Sequence, residues 1–213
     1  MCGNWADVAT GLSVEGLCSI GQECHVVIVI PSVLVDLLEA AEPGRRKAVC
    51  LDFGAHVLDV CADSISGDLL RASRGYLDAA RRLLAGTGDA GLLARARSDY
   101  FGARGDGQDV VDASGVASVS VCAACQREME GAGMVQSNRY VPRAVDVAKE
   151  AQAAVGAYAA HRATAGMQGE VTGNARTAAR VARWEEARWQ LLRVIEVAPR
   201  PAESRQRVTE NRA

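Results

Sequence analysis

Aromatic side chains are scarce: Phe, Trp and Tyr together make up 4% of the 213 residues. The chain is nevertheless 49% apolar, so alanine, valine, leucine and small residues must supply most of its interior. Alanine-rich segments with scattered leucines favour closely packed helices over a sheet. Histidine is scarcer still, with three copies, so any imidazole chemistry has to use His25, His56 or His161. A strong charge of either sign is also lacking. The formal net charge of −2 exerts no global pull on nucleic acid or on an anionic membrane. No apolar run reaches the roughly 18 residues of a membrane span; the stretch from Val26 to Leu38 is interrupted by Pro31, Ser32 and Asp36. A Ser/His/Asp ordering, a nucleophile elbow, a phosphate-binding loop in its proper context and a nucleic-acid module are all missing.

Cysteine, by contrast, is plentiful, with seven copies. Residues 1–23 have no basic start and no continuous apolar core, so no export signal is expected. An odd cysteine count without one predicts reduced thiols in a cytoplasmic protein. Arginine greatly outnumbers lysine, as a high-GC bacterial coding bias would produce without any functional demand.

Periodicity predicts an all-α fold: one bundle of six to seven helices over residues 24–198. An irregular arm (1–23, with Trp5 as an anchor) precedes it and a polar, disordered tail (199–213) follows. His25–Ile30 (HVVIVI) is the one strong β signal. A lone strand is unstable, and unpaired it would be an association hazard, which suggests a homodimer. Pro31 fits a first helical turn before a short helix at 33–41. Further helices are expected at about 45–62, 68–85 (capped by Asp68), 90–103, 109–130, 142–165 and 174–198. The last has Val181, Trp184, Leu191 and Ile195 as its inner stripe. On the 68–85 helix the inner face is Leu69, Ala72, Tyr76, Ala80 and Leu83. Its outer face carries Arg71, Arg74, Asp78, Arg81 and Arg82, with Arg74–Asp78 and Asp78–Arg82 spaced for ion pairs.

The 45–62 helix is the most informative. Cys50, Phe53, Gly54, Val57, Leu58 and Cys61 share one face, while Asp52, His56, Asp59 and Asp63 share the other. A carboxylate four residues from a histidine can orient the ring and raise its pKa, as a general base needs. The same groups could ligate a divalent metal. A solvated acidic face has the same spacing, so the pattern alone implies no metal. Arg74, Tyr76 and Trp189 are further candidate binding residues. Trp189 falls about 140° round the helix from Trp184, where a neighbouring helix, a dimer interface or a ligand pocket would meet it.

Cys122-Ala-Ala-Cys125 is a CxxC pair. It lies mid-helix, without the strand–helix context of a redox motif or a second pair for zinc. Buried structural thiols explain it as well as redox or metal sensing does. Gly86–Gly91 matches GxGxxG literally but follows a helix, so it reads as a helix–helix turn. GARGDG at 102–107 is likewise a loop. His161 is placed to complement the C-terminal end of its helix.

Asp52-Phe-Gly-Ala-His56-Val57-Leu58, followed by a charged turn and the Ala- and Arg-rich stretch Arg71–Leu84, resembles the helical immunity proteins of actinobacteria. Their corresponding segment runs A-x-C/F-A-E-H-V-L. The alanine-rich later helices and Trp189-Gln190 also fit. The resemblance implies a small all-helical cytoplasmic protein with no established chemistry and, by analogy, a role in neutralising a toxin; no cofactor is expected. Two functions follow as expectations. One is a helical binding protein whose partner is a protein toxin or a small-molecule ligand, with no nucleic acid and no membrane involved. The other is a self-resistance enzyme of secondary metabolism in which His56 is the base and Asp52 or Asp59 orients it.

Overall fold

The structure is a computed structural model that describes residues 26–136, 140–165 and 172–197. The arm at 1–23, with Trp5 and Cys18, lies outside the described residues, as do Cys24, His25 and the 199–213 tail. Among the described residues seven α-helices follow one another: α1 Val26–Ala40, α2 Pro43–Val60, α3 Gly67–Leu84, α4 Ala90–Asp106, α5 Ala113–Gly131, α6 Ala144–Thr164 and α7 Thr172–Val197. A 3₁₀ turn, Ala62–Ser64, joins α2 to α3. Among the described residues the fold is all-α. The one β-type contact is an isolated antiparallel bridge between Ile65 and Asp109.

The expected strand is therefore corrected. Val26–Ile30 is the start of α1, continuous with the helix expected at 33–41, and Pro31 lies inside it instead of at its first turn. A strand needs a neighbour to satisfy its backbone, whereas a helix satisfies its own. With no second strand beside it among the described residues, the β-branched run adopts the self-sufficient form. The unpaired-strand reason for a dimer goes with it.

α2 buries the face its periodicity predicts: Val49, Cys50, Leu51, Phe53, Gly54, Val57 and Leu58, continued by Cys61. Pro43 opens the helix, where its missing N–H costs nothing. Gly54 lets α5 approach closely, since a Cβ there would lie 2.6 Å from Ser120 Oγ. In α3, Leu69, Tyr76 and Ala80 are buried as expected, with Ala72 and Leu83 half-buried. Ser66, not Asp68, occupies the N-cap of α3; Asp68 instead accepts a hydrogen bond from Arg71 at 2.8 Å. The Arg82–Asp78 pair forms at 2.9 Å, but Arg74 reaches across to Asp59 of α2 at 2.8 Å.

The α3–α4 turn uses Gly86 at φ +70°, and Asp89 caps α4 by accepting from the Leu92 N–H at 2.7 Å. Asp109 caps α5, its carboxylate accepting from the N–H groups of Ala113 and Ser114 at 3.0 and 2.8 Å. Two hydrophobic clusters result. The larger joins α2, α3, α4, α5 and α6 around Leu58, Tyr76 and Tyr100. The smaller joins α1, α2, α6 and α7 around Leu38, Phe53, Val147 and Val194.

α7 differs most from expectation. Its buried residues are Glu186, Ala187, Gln190 and Val194. Val181 is 54% exposed, and Trp184, Leu191 and Ile195 are half-buried. The inner face contains a carboxylate and an amide because partners on α2 and α6 satisfy them, so the side with the larger apolar residues is left on the outside.

Candidate functional site

The site is built where α7 crosses α2. His56 projects from α2 toward α7, beside Phe53. Its ring lies on the indole of Trp189 with 3.7 Å between centroids and 10° between planes. Its Nε2 lies 3.2 Å from Glu186 Oε2, one turn earlier on α7. The Glu186 side chain is 1% exposed and that of His56 27%. Behind them, Gln190 donates to the other Glu186 oxygen at 3.0 Å and to the Ala148 carbonyl at 3.2 Å. Gln152 of α6 donates to Gln190 Oε1 at 2.8 Å. Each buried polar group is thus answered by the next, as burial requires. Trp189 closes the row edge-on to Phe53, with centroids 6.1 Å apart.

The carboxylates expected beside His56 are engaged elsewhere. Asp52 accepts from Arg193 Nε and Nη2 at 3.0 and 2.9 Å and from Arg81 at 3.2 Å. It ties α2 to α7 and to α3. Asp59 holds Arg74 at the surface, and Asp63 accepts from Tyr158 Oη at 2.6 Å. The carboxylate that orients His56 is Glu186, from a helix more than a hundred positions along the chain. His56, Asp52 and Asp59 share the polar side of α2 but form three separate contacts. Trp189, expected off the inner stripe, belongs to the inner side.

Tyr76 is completely buried and stacks on Tyr100 at 5.4 Å. Its hydroxyl is enclosed without a hydrogen-bond partner, and burial pushes the phenol well above its ordinary range. Tyr76 is thus part of the core and not a pocket wall. Burial also raises the thiols: Cys50, Cys61 and Cys125 are pushed up from 9.0 to about 12, and half-buried Cys122 is raised too. Protonated thiols are poor nucleophiles, so CAAC lacks the electropositive setting of a redox pair. Cys125 instead marks a local break in α5, at φ −120° and ψ 22°. Among the described residues no group of three His, Cys, Asp or Glu is placed to hold a metal ion. His161 is exposed in the last turn of α6.

His56 lines neither of two surface grooves on the bundle. The larger, about 610 Å³, runs between α4, α5 and α6. Phe101, Arg104, Asp112, Val119, Glu150 and Ala154 are among its walls. Phe101 is 46% exposed, stands edge-on to Tyr100 at 5.0 Å and has the Arg97 guanidinium 4.8 Å above it. Arg104 is fixed by donating to Tyr100 Oη at 2.7 Å and to Asp112 at 2.6 Å. The floor is small: Gly115, Ala153, Ala154 and Ala157. An exposed aromatic, a braced guanidinium and a shallow apolar floor make up a recognition surface. Sequence reading missed this groove because its walls come from three helices, and because GARGDG, expected as a loop, is helical as far as Asp106; Phe101, a large aromatic, is the one sequence signal that hints at it. The smaller groove, about 320 Å³, lies between α1, α2 and α6 and is lined by Arg46, Lys47 and Arg143 among others.

No family model, curated protein or solved structure matches this chain. Among the described residues, no helix is long and apolar enough to cross a membrane.

Proposed function

We propose that this chain is a cytoplasmic helical binding protein of the self-protection kind, which neutralises a toxin or toxic metabolite by holding it in the groove between α4, α5 and α6. The observation that carries this reading is the contrast between the two polar constellations. His56 is engaged by its own stack and its own carboxylate and lines neither groove. The braced Arg104 and exposed Phe101 are presented to solvent around an open one. Neutralisation by binding needs shape and charge complementarity and no catalytic group, which suits a chain with so few candidates for chemistry. The resemblance of residues 45–85 to helical immunity proteins points the same way.

The test is protection in cells. The chain is co-expressed with toxic products encoded beside its gene, and growth is compared with that of Ala153→Trp, which fills the groove from its exposed floor. Protection by the wild type that is lost in Ala153→Trp supports the reading. Protection unaffected by filling the groove would sink it.

One observation favours the enzyme as a second reading. A histidine held by a buried carboxylate is the arrangement of an oriented general base, and Nδ1 remains as its other ring nitrogen. On that reading His56→Gln abolishes protection and Ala153→Trp does not.

A further inference from the structure

The smaller groove, between α1, α2 and α6, combines apolar walls with one cation that no carboxylate of the chain answers. Leu38, Cys50, Ala123 and Val145 are among the apolar walls. Burial pushes the Cys50 thiol up to about 12, so it adds no negative charge at neutral pH. Three cations, Arg46, Lys47 and Arg143, stand around the groove with one acid, the exposed Glu39. Two of the three are already matched. Lys47 donates to Glu128 at 3.0 Å, and Arg143 pairs with Asp146 at 3.3 Å and also feels Glu39. Arg46 is different. Its Nη2 donates to the carbonyls of Glu39 and Ala41, each at 2.8 Å, which ties down the end of α1. Among the described residues it has no carboxylate partner. Its Nε is enclosed without a hydrogen bond, and its Nη1 is neither enclosed nor hydrogen-bonded. A half-buried guanidinium with a donor unmet is short of both an acceptor and a counter-charge.

We propose that this groove binds a small organic monoanion, a carboxylate with an apolar body, its head on Arg46 and its body along Leu38, Ala123 and Val145. One unmatched positive charge calls for one negative charge. A multiply charged anion would have to draw Lys47 and Arg143 away from Glu128 and Asp146, and an inorganic one would leave the apolar walls uncovered. A guanidinium presents its donors in the plane a carboxylate accepts them. The long helices α2 and α6 both begin on the groove, at Pro43 and Ala144, so their dipoles add to the pull of Arg46 on an anion. The volume, about 320 Å³, is at the lower end of the range for small-molecule sites and too small for a protein segment of any length. The site is separate from the groove between α4, α5 and α6 and does not depend on the reading of that groove.

The experiment titrates the full chain with hexanoate, hexanamide and inorganic phosphate, and follows backbone amide shifts by NMR. Hexanoate is expected to bind with roughly millimolar affinity or tighter, the range open to so small a ligand. It should move the amides of Ala123, Ala144 and Val145 and leave those of Gly115 and Ala157, in the other groove, in place. Hexanamide has the same body without the charge and should bind about tenfold more weakly. Phosphate should leave all of these amides unmoved. Arg46→Gln keeps an amide donor for the α1 carbonyls; it should bring hexanoate down to the affinity of hexanamide and leave hexanamide unchanged. Ala123→Leu fills the apolar wall and should abolish binding of both. Hexanoate that moves no amide of this groove would overturn the proposal. So would hexanamide or phosphate bound as tightly as hexanoate, or variants that bind hexanoate like the wild type. Circular dichroism checks that each variant is folded. If Arg46→Gln is not, the hexanoate–hexanamide comparison in the wild type and the Ala123→Leu result decide.

Discussion

The imidazole of His56 lies flat on the indole of Trp189, 3.7 Å away and 10° from parallel, while Glu186 holds its Nε2 from the buried side. This contact joins α2 to α7 through a ring stack and an imidazole–carboxylate contact of 3.2 Å at once. Trp189→Ala should cost about 2–3 kcal/mol in urea unfolding, at or below the foot of the range for removing a fully buried large aromatic, because the indole is only half-buried. Trp189→Phe keeps a stacking surface and should cost less than half of that. Glu186→Gln retains hydrogen-bonding capacity toward His56 and Gln190 and should be mild. Glu186→Leu leaves the buried Gln190 amide short of an acceptor and should cost about 2 kcal/mol.

That contact also shows where sequence reading stops. The apolar face of α2 was legible because six residues at the helical period carry it within one element. The polar face was legible as a face, but its partners were not. Glu186, Arg193 and Arg81 come from other helices, and nothing in local spacing encodes those pairings. α7 misleads for the opposite reason. Its apolar side is conspicuous, whereas its inner side has Glu186 and Gln190, which periodicity assigns to solvent. The run at 26–30 misleads because β-branched residues suit a strand only where another strand is present to pair with.

The approach of α2 to α5 at Gly54 gives a second prediction. A methyl there would lie 2.6 Å from Ser120 Oγ and 3.2 Å from Leu77 Cδ2. Ser120 is buried and its hydroxyl donates to the Val116 carbonyl at 2.8 Å, so it has little room to retreat. Gly54→Ala removes a flexible residue from a helix, which alone would stabilise it by up to about 1 kcal/mol. The clash should outweigh that gain and leave a net loss of about 1–2 kcal/mol. Gly54→Ala/Ser120→Gly should recover part of the loss if the contact is the cause. Equal losses with and without Ser120→Gly would place the strain elsewhere.

Tyr76 and Tyr100 stack on each other but should respond oppositely to loss of their hydroxyls. The Tyr76 hydroxyl is enclosed without a partner, so Tyr76→Phe removes an unsatisfied group and should be neutral or stabilising by up to about 1 kcal/mol. The Tyr100 hydroxyl donates to the Ser114 carbonyl at 3.1 Å and accepts from Arg104 at 2.7 Å. Tyr100→Phe should therefore cost about 1–2 kcal/mol, and it should loosen Arg104 at the groove. Thermal unfolding of the two variants side by side reads the difference. A destabilised Tyr76→Phe would show that a buried water or another group satisfies its hydroxyl.

The buried thiols make stability fall in alkali. Burial raises Cys50, Cys61 and Cys125 from 9.0 to about 12 in the folded chain. In the unfolded chain they ionise at their ordinary value. Below about pH 9 both states hold the protons and the contribution is complete. Between about pH 9 and 12 the unfolded chain sheds protons that the native chain keeps, so unfolding becomes progressively easier. Each thiol can steepen the decline by at most about 1.4 kcal/mol per pH unit. The phenols of Tyr76 and Tyr100, also raised by burial, act in the same direction above about pH 10. Cys61→Ala should lower stability at neutral pH through the small void it leaves, yet flatten the fall from about pH 9 upward. The check is urea unfolding at several alkaline pH values. Parallel curves for Cys61→Ala and wild type would mean that the Cys61 thiol ionises as readily folded as unfolded, and that its burial is relieved by opening of the core around it.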